Sequence, residues 1–202
     1  MALYHFSVRN VSRGKGQMVV ASAAYISGQR IFDSYYNKIH DYTSKSGVIF
    51  TEILTPEYVP ERLTDRETLW NEVEHVERNN KAQLAYSFDI ALQNELTLEE
   101  NIRLAKEFCQ EQFVARGMIV DLAVHEGKSD NEEEPDNPHF HVLAPIRPFT
   151  EEGIWGNKQR REYILDEDGN RVKDAKGKDM FNAVSTTGWN DPCLLYTSDA
   201  AD

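Results

Sequence analysis

Two histidines stand two residues apart in Asp136-Asn137-Pro138-His139-Phe140-His141-Val142-Leu143, straight after a turn-forming Asn-Pro pair. On a strand, side chains at i and i+2 share a face, roughly 7 Å apart along the backbone, so two imidazoles can converge on one ion. A third histidine, His125, ends the apolar run Met118-Ile119-Val120-Asp121-Leu122-Ala123-Val124. If the two runs pair as neighbouring strands, three neutral nitrogen ligands meet. Positions would then remain open for a substrate oxygen, as at catalytic rather than structural metal sites. The same spacing also describes ordinary paired surface histidines.

Two further side chains have types that suit such a site. Asp89 sits on a strand-like run, and its face carries the small residues Ala85, Ser87 and Ala91. A buried carboxylate is costly without a partner, and metal-bound histidines commonly donate their second N–H to one; an exposed edge-strand aspartate is the plain alternative. Tyr25 lies among alanines in Ala21-Ser22-Ala23-Ala24-Tyr25-Ile26-Ser27-Gly28. Such a tyrosine is ordinarily a packing residue, but small neighbours would also leave its hydroxyl reachable as a covalent nucleophile.

The elements that must position these residues follow from periodicity. Residues 3–9 alternate as a strand, and Asn10 to Gly16 is a polar turn with two glycines. Val19 to Ser27 is a short helix stopped by Gly28. Residues 29–46 show no period, and Gly47 to Leu54 reads as a strand. Thr64 with Glu67 predicts a capped helix start, with Leu69, Val73 and Val76 as its buried stripe. Leu84 to Leu92 is a strand; Thr97-Leu98-Glu99-Glu100 opens a helix running to about Arg116 and closed by Gly117. Residues 118–125 and 139–146 are the histidine strands, and Asp168-Gly169-Asn170 signals a hairpin. Mixed elements with antiparallel connections predict an α+β sandwich built on one antiparallel sheet.

At 202 residues the chain suits one ordinary domain. No apolar run approaches a membrane span, so no membrane insertion is expected. No leader pattern precedes the first strand. Two cysteines, Cys109 and Cys193, give no disulfide framework, and a reducing cytoplasm is the expected setting. The net charge of −12 argues at first against a nucleic-acid partner. Its distribution matters more. Residues 1–50 carry Arg9, Arg13, Lys15, Arg30, Lys38 and Lys45 against only Asp33 and Asp41, whereas 126–136 carry six acidic residues against Lys128. A polyanion would meet the N-terminal quarter; solvated surface charge is the competing reading. Residues 193–202 read as the translation of a sequencing adapter and are set aside, which makes 1–192 an N-terminal fragment of a longer protein.

Several segments together resemble the MobA/MobL family of plasmid mobilisation relaxases. They are Tyr4-His5-Phe6-Ser7-Val8, Ser12-Arg13-Gly14-Lys15-Gly16-Gln17, Ala23-Ala24-Tyr25-Ile26-Ser27-Gly28 and Ile90-Ala91-Leu92-Gln93-Asn94-Glu95-Leu96-Thr97. Val124-His125-Glu126, Asn137-Pro138-His139-Phe140-His141, Arg161-Glu162-Tyr163-Ile164-Leu165-Asp166 and Thr186-Thr187-Gly188-Trp189-Asn190 continue them in order. The resemblance implies a histidine-hydrophobe-histidine (HUH) endonuclease fold, an antiparallel sheet flanked by helices. It also implies a nucleophile at Tyr25 and metal ligands at His125, His139 and His141. Asp89 stands where the family usually has a glutamate, a shorter carboxylate in an orienting role. The acidic insertion Ser129 to Asp136 lengthens the loop between His125 and the histidine pair, which need not disturb strand register.

The implied activity is nicking of single-stranded DNA at a plasmid transfer origin, through a 5′-phosphotyrosine link that later reverses. Arg9, Arg13, Lys15 and Arg30 are the candidate DNA contacts. A divalent ion, Mn²⁺ or Mg²⁺ foremost, would assist; three imidazoles also suit Zn²⁺, Co²⁺ or Ni²⁺. Accessory mobilisation proteins and a coupling protein are the expected partners. Tyr35-Tyr36 is a rival nucleophile. The competing functions are a rolling-circle replication initiator, a plain metal-dependent phosphoesterase, and a non-catalytic origin-binding fragment.

Overall fold

The computed structural model describes residues 5–128 and 136–190. Leu3 and Tyr4 of the expected first strand, most of the acidic loop (129–135), and residues 191–202 with Cys193 lie outside the described residues. The chain divides into two compact units, Met1–Trp155 and Gly156–Asp202.

Among the described residues, the helices and strands of the first unit are β1 (Phe6–Ser12), α1 (Val19–Ser27), β2 (Arg30–Asp33), β3 (Lys38–Asp41), β4 (Val48–Leu54), α2 (Arg66–Val76), β5 (Gln83–Ala91), α3 (Leu98–Gln112), β6 (Val120–His125) and β7 (His139–Pro145). Its sheet has the order β1-β5-β7-β6-β4, every neighbour antiparallel. This is the α+β architecture expected. The side-chain period of two sorts the sheet into two faces. Phe88 and Phe140 point to one face, where they pack against Phe113 and Phe108 at the C-terminal end of α3. Ala85, Ala123 and Leu143 join the core of the other face with Val20 and Ala23 of α1 and Leu69, Trp70 and Val73 of α2.

Three local departures from the sequence expectations have physical causes. The first strand continues to Ser12, because β5 goes on pairing with it as far as Gln83, across a bulge. Asp65, not Thr64, caps α2: its carboxylate accepts from Thr68 N at 2.8 Å, while the Thr64 hydroxyl is spent on the Glu61 carbonyl. The stretch without period, 29–46, contains the hairpin β2–β3. Its inward face is Ile31, Asp33 and His40, and the last two approach each other at 3.4 Å. A strand that buries a polar pair shows no apolar alternation.

The helix bearing Tyr25 ends at Gly28, in the left-handed conformation at φ 63°, with its N–H on the Ala24 and Tyr25 carbonyls. A Cβ there would also sit 3.2 Å from Val48 of β4. Glycine therefore both ends the helix and lets it touch the sheet. At the other end Glu74, fully buried, accepts from Val19 N at 3.0 Å and from Arg13 at 2.6 Å.

The second unit is described by β8 (Gln159–Tyr163) and β9 (Phe181–Ser185), an antiparallel pair. Between them Leu165 bridges Arg171 around the expected turn, where Gly169 has φ 80°. Among the described residues, no helix is long and apolar enough to cross a membrane.

Candidate functional site

Register brings the histidines together. His125 lies directly opposite His139 across β6–β7, and His141 lies opposite Ala123 on one side and Asp89 on the other. All four therefore share the sheet face that also bears Ser7, opposite Asp89, and Arg9, opposite Ser87. One ring nitrogen from each histidine lies within 4.8 Å of the others, and the ring centroids are 4.6–5.2 Å apart.

Two of the rings are held by their other nitrogen. His125 Nε2 donates to the Ile26 carbonyl at 2.7 Å, and His139 Nδ1 donates to the Asn137 carbonyl at 2.7 Å. A carbonyl can only accept, so these contacts fix the N–H tautomer and leave His125 Nδ1 and His139 Nε2 with lone pairs. His141 Nδ1 faces Asp89 Oδ2 at 3.9 Å, beyond direct hydrogen-bond range. That gap agrees with the short reach of an aspartate. Burial pushes the His125 imidazolium down to about 4, against the Ile26 hydrogen bond, with Lys45 and His139 adding repulsion. Burial pushes His141 down to about 4 as well, against the pull of Asp89. At neutral pH both are uncharged, as metal ligation requires. Three clustered imidazoles, two of them oriented with a lone pair free, fit a divalent cation. Beside them a half-open cleft of about 210 Å³ is lined by His5, Asp89, Ala91, Asn137 and His139.

The acidic insertion leaves the pairing intact because its neck is closed. Asn137 N donates to the Gly127 carbonyl at 2.8 Å, and Leu92 N to the Pro138 carbonyl at 2.7 Å.

Tyr25 is 50 % exposed on the outer side of α1, whose Val20, Ala23 and Ala24 are buried. Its turn is fastened to the histidines, because the Ile26 carbonyl that receives His125 belongs to the residue after Tyr25. Carbonyls in a helix's last turn lack intrahelical partners, which makes Ile26 available. The Tyr25 ring meets Tyr42 edge-on at 5.3 Å, and the Lys45 ammonium stands 3.8 Å from its centroid. Tyr35 instead keeps company with Tyr36, His75 and the Arg13 guanidinium.

The four arginine and lysine candidates separate. Arg9 and Lys15 are exposed; Arg30 is exposed and lies 3.5 Å from Asp41. Arg13 is buried, and its guanidinium is consumed by Glu74 and the carbonyls of Glu74, Glu77 and Asn79. The expectation that Arg13 is a phosphate contact is corrected accordingly: it ties the first strand to α2. Sequence reasoning gave no role to Lys45 beyond its charge. It sits in a polar loop without period, and only the folded chain carries it to Tyr25.

The MobA/MobL family model matches residues 17–198. The conjugal transfer protein TraA of Agrobacterium fabrum is 36 % identical over 202 residues, covering 94 % of this chain and 18 % of TraA. Mobilization protein MobL of Acidithiobacillus ferridurans is 32 % identical over 157 residues, covering 77 % of this chain and 41 % of MobL. The chain thus spans less than a fifth of TraA and under half of MobL. A solved structure described as "Molecular Basis of Vancomycin Resistance Transfer in Staphylococcus aureus" superposes with a TM-score of 0.76 at 33 % identity, covering 96 % of this chain and 85 % of that one.

Proposed function

The chain belongs to the MobA/MobL family, and we propose that it nicks single-stranded DNA at a plasmid transfer origin by attack of Tyr25 on a phosphodiester. The observation that carries this reading is the single hydrogen bond from His125 to Ile26, which joins the three-histidine cluster to the tyrosine's own turn. A nucleophile and a phosphate-binding centre fastened together in this way suit an in-line displacement.

A divalent cation held by His125, His139 and His141 would offset negative charge on the scissile phosphate. The chain's own groups do the rest. Ile26 and Asn137 keep the rings of His125 and His139 turned with one lone pair free, and Asp89 faces the ring of His141. Tyr25 Oη forms a bond to phosphorus as the bond from phosphorus to the 3′ oxygen breaks. The phenolic proton leaves through solvent, and the departing oxygen takes one up as a 3′-hydroxyl. One phosphodiester replaces another, so the 5′-phosphotyrosine can reverse and reseal the strand. Arg9 shares the histidine face, and with Lys15 and Arg30 it would draw the DNA backbone. Accessory mobilisation proteins and a coupling protein would act on the same DNA in the cytoplasm.

The test incubates the protein with an end-labelled origin strand and Mn²⁺ or Mg²⁺. A covalent adduct that forms in the wild type and vanishes in Tyr25→Phe is the expected result. Cleavage that persists in Tyr25→Phe without an adduct would instead make the protein a metal-dependent phosphoesterase. Binding without cleavage would leave only an origin-binding role. An adduct retained by Tyr25→Phe and lost when Tyr35 and Tyr36 are changed would move the nucleophile to the β2–β3 turn.

A further inference from the structure

Lys45 occupies a position that its local sequence does not foretell. Its Nζ donates to the Tyr25 carbonyl at 3.1 Å and stands 3.8 Å from the Tyr25 ring centroid. The loop that carries it is pinned on both sides. Lys45 N bonds the Tyr42 carbonyl at 2.9 Å, and Tyr42 N bonds the Gln29 carbonyl at 3.2 Å, just beyond α1. On the other side, the Gly47 carbonyl receives Glu126 N at 3.0 Å, the residue after His125, and Val48 pairs with His125 itself. The ammonium is therefore held on the tyrosine, by a loop whose backbone is bonded beside His125.

Among the described residues, no carboxylate forms an ion pair with Lys45, whereas Lys106 and Lys128 each have one. Partial burial lowers its pKa from the ordinary lysine value, so it has given up some hydration without an anion in return. A half-buried cation kept without a carboxylate partner beside the tyrosine is arranged for an anion that arrives with the substrate.

We propose that Lys45 is a positioning residue for the tyrosine chemistry, holding Tyr25 in place through its ring face and carbonyl and presenting a positive charge to the phosphodiester beside the three histidines. This rests on the reading of Tyr25 as the nucleophile. The role calls for charge as well as bulk, and it acts on DNA that is already bound. Arginine can replace it in part, and an uncharged side chain of similar length cannot.

The experiment measures single-turnover adduct formation on a labelled origin strand with Mn²⁺, as a function of protein concentration, for wild type, Lys45→Met, Lys45→Arg and Tyr25→Phe. Lys45→Met is expected to slow the rate at saturation by about 10- to 100-fold, the scale of a lost oriented charge or of a misplaced reacting group. The half-saturating concentration should change by less than about threefold, since one phosphate contact is a small part of backbone binding. Lys45→Arg should recover most of the rate. Lys45→Gln, which keeps a donor for the Tyr25 carbonyl without the charge, should be as slow as Lys45→Met, and it serves in its place should that variant fold poorly. A saturated rate within twofold of wild type in Lys45→Met or Lys45→Gln, with Tyr25→Phe inactive, overturns the role of Lys45 and leaves the nucleophile standing. A rise in the half-saturating concentration alone overturns that role equally. An adduct that survives in Tyr25→Phe overturns the nucleophile instead.

Discussion

A histidine drawn out of water on the sheet face resists a second proton, even where a carbonyl or carboxylate beside its ring favours one. His125 and His141 are both in this position, pushed by burial down to about 4 from an ordinary value near 6.5. The sign of the consequence follows from linkage. Between pH 6.5 and 4 the unfolded chain binds protons at these positions and the folded metal-free chain does not, so acid favours unfolding. Above pH 6.5 neither state is protonated there and the two rings add no pH dependence. Urea titrations of the metal-free protein should therefore give a lower midpoint at pH 5.0 than at pH 7.5. That difference should shrink in His141→Gln, which cannot titrate. An equal pH 5.0 deficit in wild type and variant would show that other groups carry the acid sensitivity.

At the scale of elements, the site depends on how the long loop between β6 and β7 is closed. Gly127 has φ 58°, and a Cβ on it would collide with the Asn137 carbonyl, the same oxygen that holds His139 Nδ1. Gly127→Ala must therefore move Asn137, and the ring of His139 with it, while β6 and β7 keep their buried pairing from Asp121–Leu143 to Val124–Phe140. The expected outcome is a loss of about 10- to 100-fold in Mn²⁺ or Co²⁺ affinity, the usual effect of losing an orienting partner. The thermal midpoint of the metal-free protein should fall by no more than a few degrees. Titration calorimetry and a metal-free melt separate the two; a large fall in the melt with intact affinity would place the strain in the core instead.

The same scale shows what could be read from sequence. The helix ended by Gly28, the capping box at Thr97 and Glu100, and both histidine strands were legible, because each rests on local chemistry or on apolar period. The β2–β3 hairpin was not, since Asp33 and His40 fill its inner face. Arg13 misled because a cation in a glycine turn looks the same whether it faces a phosphate or a buried Glu74 sixty-one residues away. Lys45 was silent because its contact with Tyr25 comes from a loop folding back twenty residues.

For the molecule as a whole, Tyr25, Lys45, Asp89 and the three clustered histidines, the residues given roles in the proposed reaction, all lie in the first unit. Among the described residues, the buried hydrophobic ones run from Val11 to Phe149, and none lies beyond Gly156. The first unit also finishes itself: Trp155 packs edge-on against Phe149 at 5.2 Å, and its indole N–H donates to Glu72 of α2 at 2.9 Å. The second unit's strands are mostly exposed and its ladder is short, and a lone two-stranded hairpin is marginal by itself. A chain ending at Gly156 should then unfold in one cooperative transition and bind the metal as the full chain does. Because a ligand that binds only the folded state raises the melting point by mass action, the shift on adding Mn²⁺ should be equal in the two chains at equal free metal. Thermal melts with and without metal test this directly. A shortened chain that melts without cooperativity, or that no longer responds to metal, would mean that residues beyond 156 help to build the centre.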